Sequence, residues 1–276
     1  MSDFCKITPQ LKINSMFSYF IRECGRDFVF LGETHNFHEV VCVLSGTVSI
    51  TADTEVYTLS AGSAIVHTPM EFHSVRAAEG TTPTIMVFSF LADAFPTLER
   101  KIFAFTSAEE ALLMDAWRMA GKAFYRVNYH LKLNEGRELE AQRCFDTLGL
   151  FLLRLFTNST DVQTHRTSAT AQTYSSIAAY INENLAALQC VAQIADAFGI
   201  SPVGLQKLFH TYTGSGVMHY VNHLKIARAT EMLKSGSTSK ATALALGFTD
   251  QNYFSTVFKR ITGTSPTHYF KRSTQA

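Results

Sequence analysis

Between residues 28 and 90 short apolar runs alternate with joints made of small or turn-forming residues. Val40-Val41-Cys42-Val43-Leu44 runs into Ser45-Gly46, after which Thr47-Val48-Ser49-Ile50-Thr51 alternates polar and apolar. Val56-Tyr57-Thr58-Leu59 leads to Ser60-Ala61-Gly62, Ala64-Ile65-Val66 leads to Pro69, and Ile85-Met86-Val87-Phe88 follows. Strands at roughly ten-residue spacing with Gly or Pro at the joints predict a β-sandwich or barrel. From Ser107 the period lengthens. Ser107 ahead of Glu109-Glu110 is a helix start, and Leu112, Leu113, Ala116, Trp117 and Ala120 recur at three and four. A second helix is expected over 137–156. Its end, 148–156, is too apolar for a solvated face, and we read it as shared between its own barrel and a dimer seam. Residues 158–173 hold Ser, Thr, Asn, Gln or Asp at eleven of sixteen positions. Such a stretch cannot bury enough surface to fix itself. The expected division is therefore a sensor and dimerisation domain at 1–157, a linker at 158–172 and a second domain at 173–276.

The second domain contains an internal repeat. Gly199-Ile200-Ser201 recurs as Gly247-Phe248-Thr249; after one inserted residue, Leu205, Leu208 and Phe209 match Phe254, Val257 and Phe258. Thr213-Gly214 and His219-Tyr220 recur as Thr262-Gly263 and His268-Tyr269. In the first copy an amphipathic helix over 191–198 ends at Gly199, which allows the positive φ of a sharp helix stop. Ser201 can cap the next helix, with Pro202 at its favoured first position. That helix buries Leu205, Leu208 and Phe209 and turns Val203, Gln206, Lys207 and His210 outward. In the second copy the equivalent helix, over 250–261, buries Tyr253, Phe254, Val257 and Phe258. It shows Gln251, Asn252, Ser255, Thr256, Lys259 and Arg260. Two helices joined by a three-residue turn, the second with a polar outer face, form the helix-turn-helix pattern, whose second helix enters the major groove. Residues 217–234 read as a connecting helix, about 27 Å long at ~1.5 Å per residue. With its end turns, that length suits reading helices ~34–36 Å apart on one face of a duplex.

On these features residues 173–276 resemble the DNA-binding domain of the AraC/XylS family of bacterial transcription regulators. The motifs that carry the resemblance are IADAFGISPVGLQKLFHTYTG and GFTDQNYFSTVFKRITGTSPTHYF. The resemblance implies base contacts from Val203, Gln206 and Lys207 in copy one and from Gln251, Asn252 and Thr256 in copy two. His210, Lys259 and Arg260 take the place of phosphate contacts, which position without reading. This chain departs from the family at two places. Ser239 and Thr242 stand where the first helix of copy two is usually apolar inside; a buried polar group without a partner costs ~1–3 kcal/mol, so that helix is expected to be short, shifted or marginal. Thr256 stands where Arg is frequent, and Thr cannot make the two-pronged contact to guanine.

Charge agrees with this division. Residues 1–170 carry 15 Lys and Arg against 19 Asp and Glu, whereas residues 171–276 carry 9 against 4, so the module facing the polyanion is the basic one. At 46% hydrophobic and 12% aromatic the chain is not globally disordered. The first residues lack a secretory profile, no apolar run reaches membrane-spanning length, and five cysteines without a C-x-x-C pair argue against a disulfide framework or a structural zinc site. A cytoplasmic protein is expected.

Residues 34–76 resemble the cupin-type sensor domain common at the N-terminus of these regulators, with Gly46, Gly62 and the Pro69 to His73 corner matching best. The fold class is thus α+β: a cupin-like β-barrel with following helices, then an all-α domain with two helix-turn-helix motifs. His35 and Glu39 can point inward together with His73, while His38 points away. Two histidines and a carboxylate at a barrel mouth can hold Fe(II) or another divalent metal. Metal cupins, however, place a histidine where Glu33 stands here, and the Pro69 to His73 spacing is one residue short. His35, Glu39 and His73 are therefore read as hydrogen-bonding groups of a small-molecule pocket, with no metal, no cofactor and no catalysis, and His67 as structural. The expected partners are double-stranded DNA, a small-molecule effector and a second copy of the chain, with RNA polymerase also eligible. The competing readings are a metal-dependent cupin enzyme and an orphan regulator whose barrel only dimerises.

Overall fold

The alternation that begins at residue 12 builds two facing sheets, described here from a computed structural model covering residues 5, 7–78, 80–127, 130–157 and 168–273. In chain order the front module runs β1 (Lys12–Glu23), β2 (Val29–Glu33), β3 (His38–Ser45), β4 (Thr47–Ala52), β5 (Glu55–Ser60), β6 (Ser63–His67), β7 (His73–Ala77), β8 (Thr84–Ala94) and β9 (Ile102–Ala104). Then come α1 (Ser107–Ala123), the hairpin β10 (Phe124–Val127) and β11 (His130–Leu133), and α2 (Glu138–Thr157). One sheet has the order β1-β8-β3-β6-β9 and the other β2-β7-β4-β5, with every ladder antiparallel.

The central strands are buried on both faces, which is why they read as continuous apolar runs. Val41, Val43, Ile65 and Val87 meet Val48, Ile50, Leu59 and Val75 between the sheets. Val40, Cys42, Val66, Met86 and Phe88 face the other way, onto Leu113, Ala116 and Ala120 of α1 and Leu148, Phe151, Leu152 and Leu155 of α2. The two helices are locked at their ends. Thr106 caps α1 in a capping box with Glu109, and buried Glu109 pairs with Arg154 of α2 at 2.8 Å. The expected helices at 107 and 137 form within a residue of those starts; β1 and the β10–β11 hairpin were not read from the sequence.

The second module comprises α3 (Ala169–Glu183), α4 (Val191–Ala197), α5 (Pro202–Thr213), α6 (Val217–Lys234), α7 (Ser239–Ala245), α8 (Gln251–Thr262) and α9 (Pro266–Ser273). Helix α3 starts inside the stretch assigned to the linker, because Ser168 caps it by accepting from the Ala171 amide at 3.1 Å. The remainder of that stretch, 158–167, lies outside the described residues. Tyr174, Ile177, Ile194, Leu205, Phe209 and Tyr220 form one core; Ile226, Leu233, Ala243, Phe254, Val257 and Phe258 form the other. Helix α6 contributes to both and is buried nearly all round, so its polar His223, Lys225 and Thr230 are inside too. Two expectations about packing change. Tyr253 is 50% exposed rather than buried, lying at the rim with its ring 6.0 Å from Phe248. Leu208 is only half-buried. Helix α7 is neither shifted nor shorter than α4, each having seven residues at equivalent positions of the repeat, but Thr242 is fully buried and its hydroxyl finds no hydrogen-bond partner. All five cysteines are free, and among the described residues no helix is long and apolar enough to cross a membrane.

Candidate effector cleft and nucleic-acid interface

The end of β2 is paired with the start of β7, Glu33 opposite His73. Alternation along each strand sends these two side chains to the barrel interior and their chain neighbours to the opposite face. Glu39 enters from β3, and His35 from the loop between β2 and β3. Four residues thereby converge: ligand-capable atoms of Glu33, His35, Glu39 and His73 all lie within 4.8 Å of one another. His73 Nε2 is 3.4 Å from Glu39 Oε1, and His35 Nε2 is 3.7 Å from Glu39 Oε2. Both nitrogens lie 3.9 Å from Glu33 Oε1. Neither Nε2 has a hydrogen-bond partner although both are buried. Each ring is instead fixed through its other nitrogen, His35 Nδ1 on the Phe37 carbonyl at 3.0 Å and His73 Nδ1 on the Glu71 carbonyl at 3.1 Å.

Glu39 is oriented by the Ser89 hydroxyl, which donates to Oε2 at 2.7 Å and lies 2.8 Å from the Ser18 hydroxyl. Burial would raise the Glu39 carboxyl, but the two histidines outweigh it and hold the group well below the usual range. Burial likewise works to lower His73, and Glu39 reverses it, leaving the imidazole raised. Glu33, with less compensation, is raised by burial. Glu33, His35 and Glu39 of this cluster line a cleft of about 420 Å³ whose walls include Phe17, Phe20, Phe28, Phe30, Val41 and Val87; His73 lies behind them. His38 faces away, stacked on Phe95 at 3.9 Å and Phe90 at 5.6 Å. His67 does have a partner, which the sequence did not reveal. Its Nδ1 is 2.8 Å from Glu71 Oε1, and Glu71 also accepts from Lys101 at 2.5 Å. Burial pushes His67 down to about 4. For Glu71 burial acts upward, but His67 and Lys101 bring it down to about 2. Glu33 is the functional candidate that sequence reasoning passed over. The signal was present, since Glu33 stands two positions before His35, but it was weighed as a missing histidine rather than as a carboxylate ligand.

The reading helices are built from their caps. Ser201 accepts from the Gly204 amide at 3.0 Å and Pro202 opens α5; Asp250 accepts from the Asn252 amide at 2.8 Å and opens α8. On α5, Val203 is 65% exposed and Lys207 and His210 are exposed. Gln206 differs from the expectation: it is half-buried, and its Oε1 accepts from the Val217 amide at 3.2 Å, capping α6. On α8, Gln251, Asn252, Thr256, Lys259 and Arg260 are exposed and Ser255 is half-buried. Ser255 and Thr256 donate back to the Gln251 and Asn252 carbonyls at 2.9 Å, which leaves their oxygens as acceptors.

The last turn of α5 rests against the barrel. Thr51 and Ser74, paired across β4 and β7, both donate to the Tyr212 carbonyl, at 2.6 and 2.5 Å. The hydroxyls of Tyr174 and Tyr220 donate to the Asp53 carbonyl at 3.0 and 3.1 Å. Phe72 is fully buried within the first helical core, edge-on to Tyr220 at 5.0 Å. Thr34, the residue between Glu33 and His35, lies 2.8 Å from His223 Nδ1 of α6.

Comparison with known proteins places two regions. Residues 18–117 match a family model described as an AraC-like ligand binding domain, and residues 194–272 match a helix-turn-helix domain model. The HTH-type transcriptional activator RhaS of Citrobacter koseri is 24% identical over 235 residues, covering 84% of each chain. An uncharacterised HTH-type transcriptional regulator of Escherichia coli K12, YijO, is 36% identical over 97 residues, 35% of this chain and 34% of that one. Among solved structures, ToxT from Vibrio cholerae O395 aligns over 94% of this chain and 98% of its own, at 15% identity and a TM-score of 0.40.

Proposed function

The chain belongs to the AraC family and is a DNA-binding transcription regulator; from that premise we propose that α5 and α8 read successive major grooves while the aromatic cleft takes a small-molecule effector. The observation that carries the DNA side is the pair of separately capped helices whose outer faces stay open. Val203, Lys207 and His210 lie on one, and Gln251, Asn252, Thr256, Lys259 and Arg260 on the other. The barrel's hydrogen bonds to α5 fall on its last turn, at Thr211 and Tyr212, and bases are contacted from the first turns of a reading helix. Gln206 is omitted from the base contacts because its amide oxygen is engaged on α6.

Asn252 and Gln251 suit adenine edges, and Lys259 and Arg260 suit phosphates. Asn252→Ala is expected to relax base preference at one position of a selected site, at ~1–3 kcal/mol. Lys259→Ala is expected to weaken all duplexes alike and lower the salt slope by about 1. Titrations of both variants on selected and random duplexes over a salt series test this; equal losses on every duplex for both variants would remove the distinction between readers and anchors. For the sensor, an apolar-walled cleft with a few convergent polar groups is the usual form of a small-molecule site. An effector acts by binding one domain arrangement better than another. A second copy of the chain docks in this reading along α2, whose Leu139, Leu150 and Leu153 remain exposed, and RNA polymerase is contacted by the DNA-bound form. We read the barrel as a sensor in the cytoplasm, with no catalytic role.

A further inference from the structure

The four-residue cluster beside the cleft has the donor set of a cation site. A backbone carbonyl only accepts, so the Nδ1 atoms of His35 and His73 carry protons. In the neutral rings the Nε2 atoms then turn lone pairs toward the carboxylate oxygens of Glu33 and Glu39, acceptor against acceptor, an arrangement relieved either by a proton on Nε2 or by a metal cation held between the four groups. Both Nε2 atoms are buried with no hydrogen-bond partner, and the His73 side chain is only 1% exposed. Histidines oriented through Nδ1 and a carboxylate oriented by a serine hydroxyl are the outer-shell arrangement of a metal site. Mixed imidazole and carboxylate donors suit first-row divalent transition metals; Mg and Ca sites are built from oxygen alone. Glu33 is 45% exposed and lines the cleft, so the fourth ligand is reachable from the effector side.

The neighbours of these ligands touch the reader. Thr34 is flanked by Glu33 and His35 and contacts His223. Phe72 and Ser74 flank His73; one is buried in the first helical core and the other donates to Tyr212. Gly32 presses on the Phe72 ring so closely that a Cβ there would fall 1.9 Å from its tip. A change in spacing between Glu33 and His73 therefore moves Thr34, Phe72 and Ser74 as well, because one backbone carries both sets.

We propose that Glu33, His35, Glu39 and His73 bind one divalent transition-metal ion, and that the helix-turn-helix module reads its binding through Thr34, Phe72 and Ser74. The coupling rests on the sensor-and-reader function above; the metal site stands apart from it.

The test uses the full chain, stripped with a chelator and titrated with Co(II). We expect one equivalent to produce a visible ligand-field band that Zn(II) displaces. Glu33→Gln, at a half-exposed position, should weaken binding about tenfold or more with the melting temperature of the stripped protein unchanged, and Glu39→Gln should abolish the band. Hydrogen exchange then reads the relay. Zn(II) should slow the amides of segment 209–223, and Thr34→Val should keep the cobalt band while losing that slowing at 217–223. A spectrum that remains that of the aqueous ion, or a band indifferent to both glutamate variants, overturns the site. A band with unchanged exchange at 209–223 overturns the relay. Duplex binding by the stripped and the Co(II)-loaded protein is measured alongside: retained DNA binding without any cobalt uptake refutes the metal site alone, whereas cobalt uptake without DNA binding in either form supports the site and refutes the regulator reading.

Discussion

Single residues at the contact between barrel and reader are held in costly states. Asp53 has φ 48°, its carboxylate accepts from the Phe72 amide at 2.9 Å, and its carbonyl receives two tyrosine hydroxyls. Burial, then the nearby charge of Glu71, push its carboxyl up to about 6. The folded state therefore holds this proton more tightly than the unfolded one. Stability from Asp53 is full below the ordinary pKa near 4 and is lost as pH rises through about 6. Asparagine keeps the acceptor and tolerates the left-handed backbone. Asp53→Asn should thus lie close to the parent at pH 4 and exceed it by about 2–3 kcal/mol at pH 7.5; denaturant titrations showing the same difference at both pH values would contradict the assignment. Residue identity alone conveyed part of this region. Glu39 and His73 stand out in the sequence as inward candidates, and the His67 partner Glu71 lies only four residues along the chain, but the membership of Glu33 depends on β7 returning beside β2, which no local pattern encodes.

At the scale of elements, the two copies of the repeat share their turns but not their surroundings. Gly199 and Gly247 both have positive φ. A Cβ at Gly199 would meet open space, while at Gly247 it would fall 1.9 Å from the Ala186 carbonyl oxygen. Gln189 also donates to the Gly247 carbonyl at 2.8 Å, so the second turn is docked onto the segment after α3. Gly199→Ala should cost about 1–2 kcal/mol from backbone strain alone. Gly247→Ala should cost on the order of 3 kcal/mol or more, since backbone must also move. Equal losses in thermal unfolding would show that the docking is unimportant. The repeat, its caps and the connecting helix are legible because helix stops and amphipathic faces are local. Helix α6 over 217–234 is the clearest case. Strand β1 was missed because half of its residues face solvent while its partner β8 lies some seventy residues away.

For the whole molecule, α2 buries one face on the barrel and leaves Leu139, Leu150 and Leu153 exposed. If that face joins two copies, Leu150→Glu with Leu153→Glu should shift the sedimenting species from dimer to monomer without loss of helicity; an unchanged species would place the seam elsewhere. The reader is fastened to the barrel through Thr51, Asp53, Phe72 and Ser74, and on β7 the inward His73 and the reader contact Ser74 are chain neighbours on opposite faces of one strand. The sequence alone determined the two modules, the repeated helix-turn-helix and the outward polar positions other than Gln206 and Ser255, because each follows from periodicity and capping within a few turns of chain. Only the tertiary structure decided that Glu33 joins two histidines and Glu39, that Gln206 caps α6, and that Phe72 lies inside the reader's core. Those facts depend on which distant strands and helices come together, and packing across long chain separations leaves no local periodic mark.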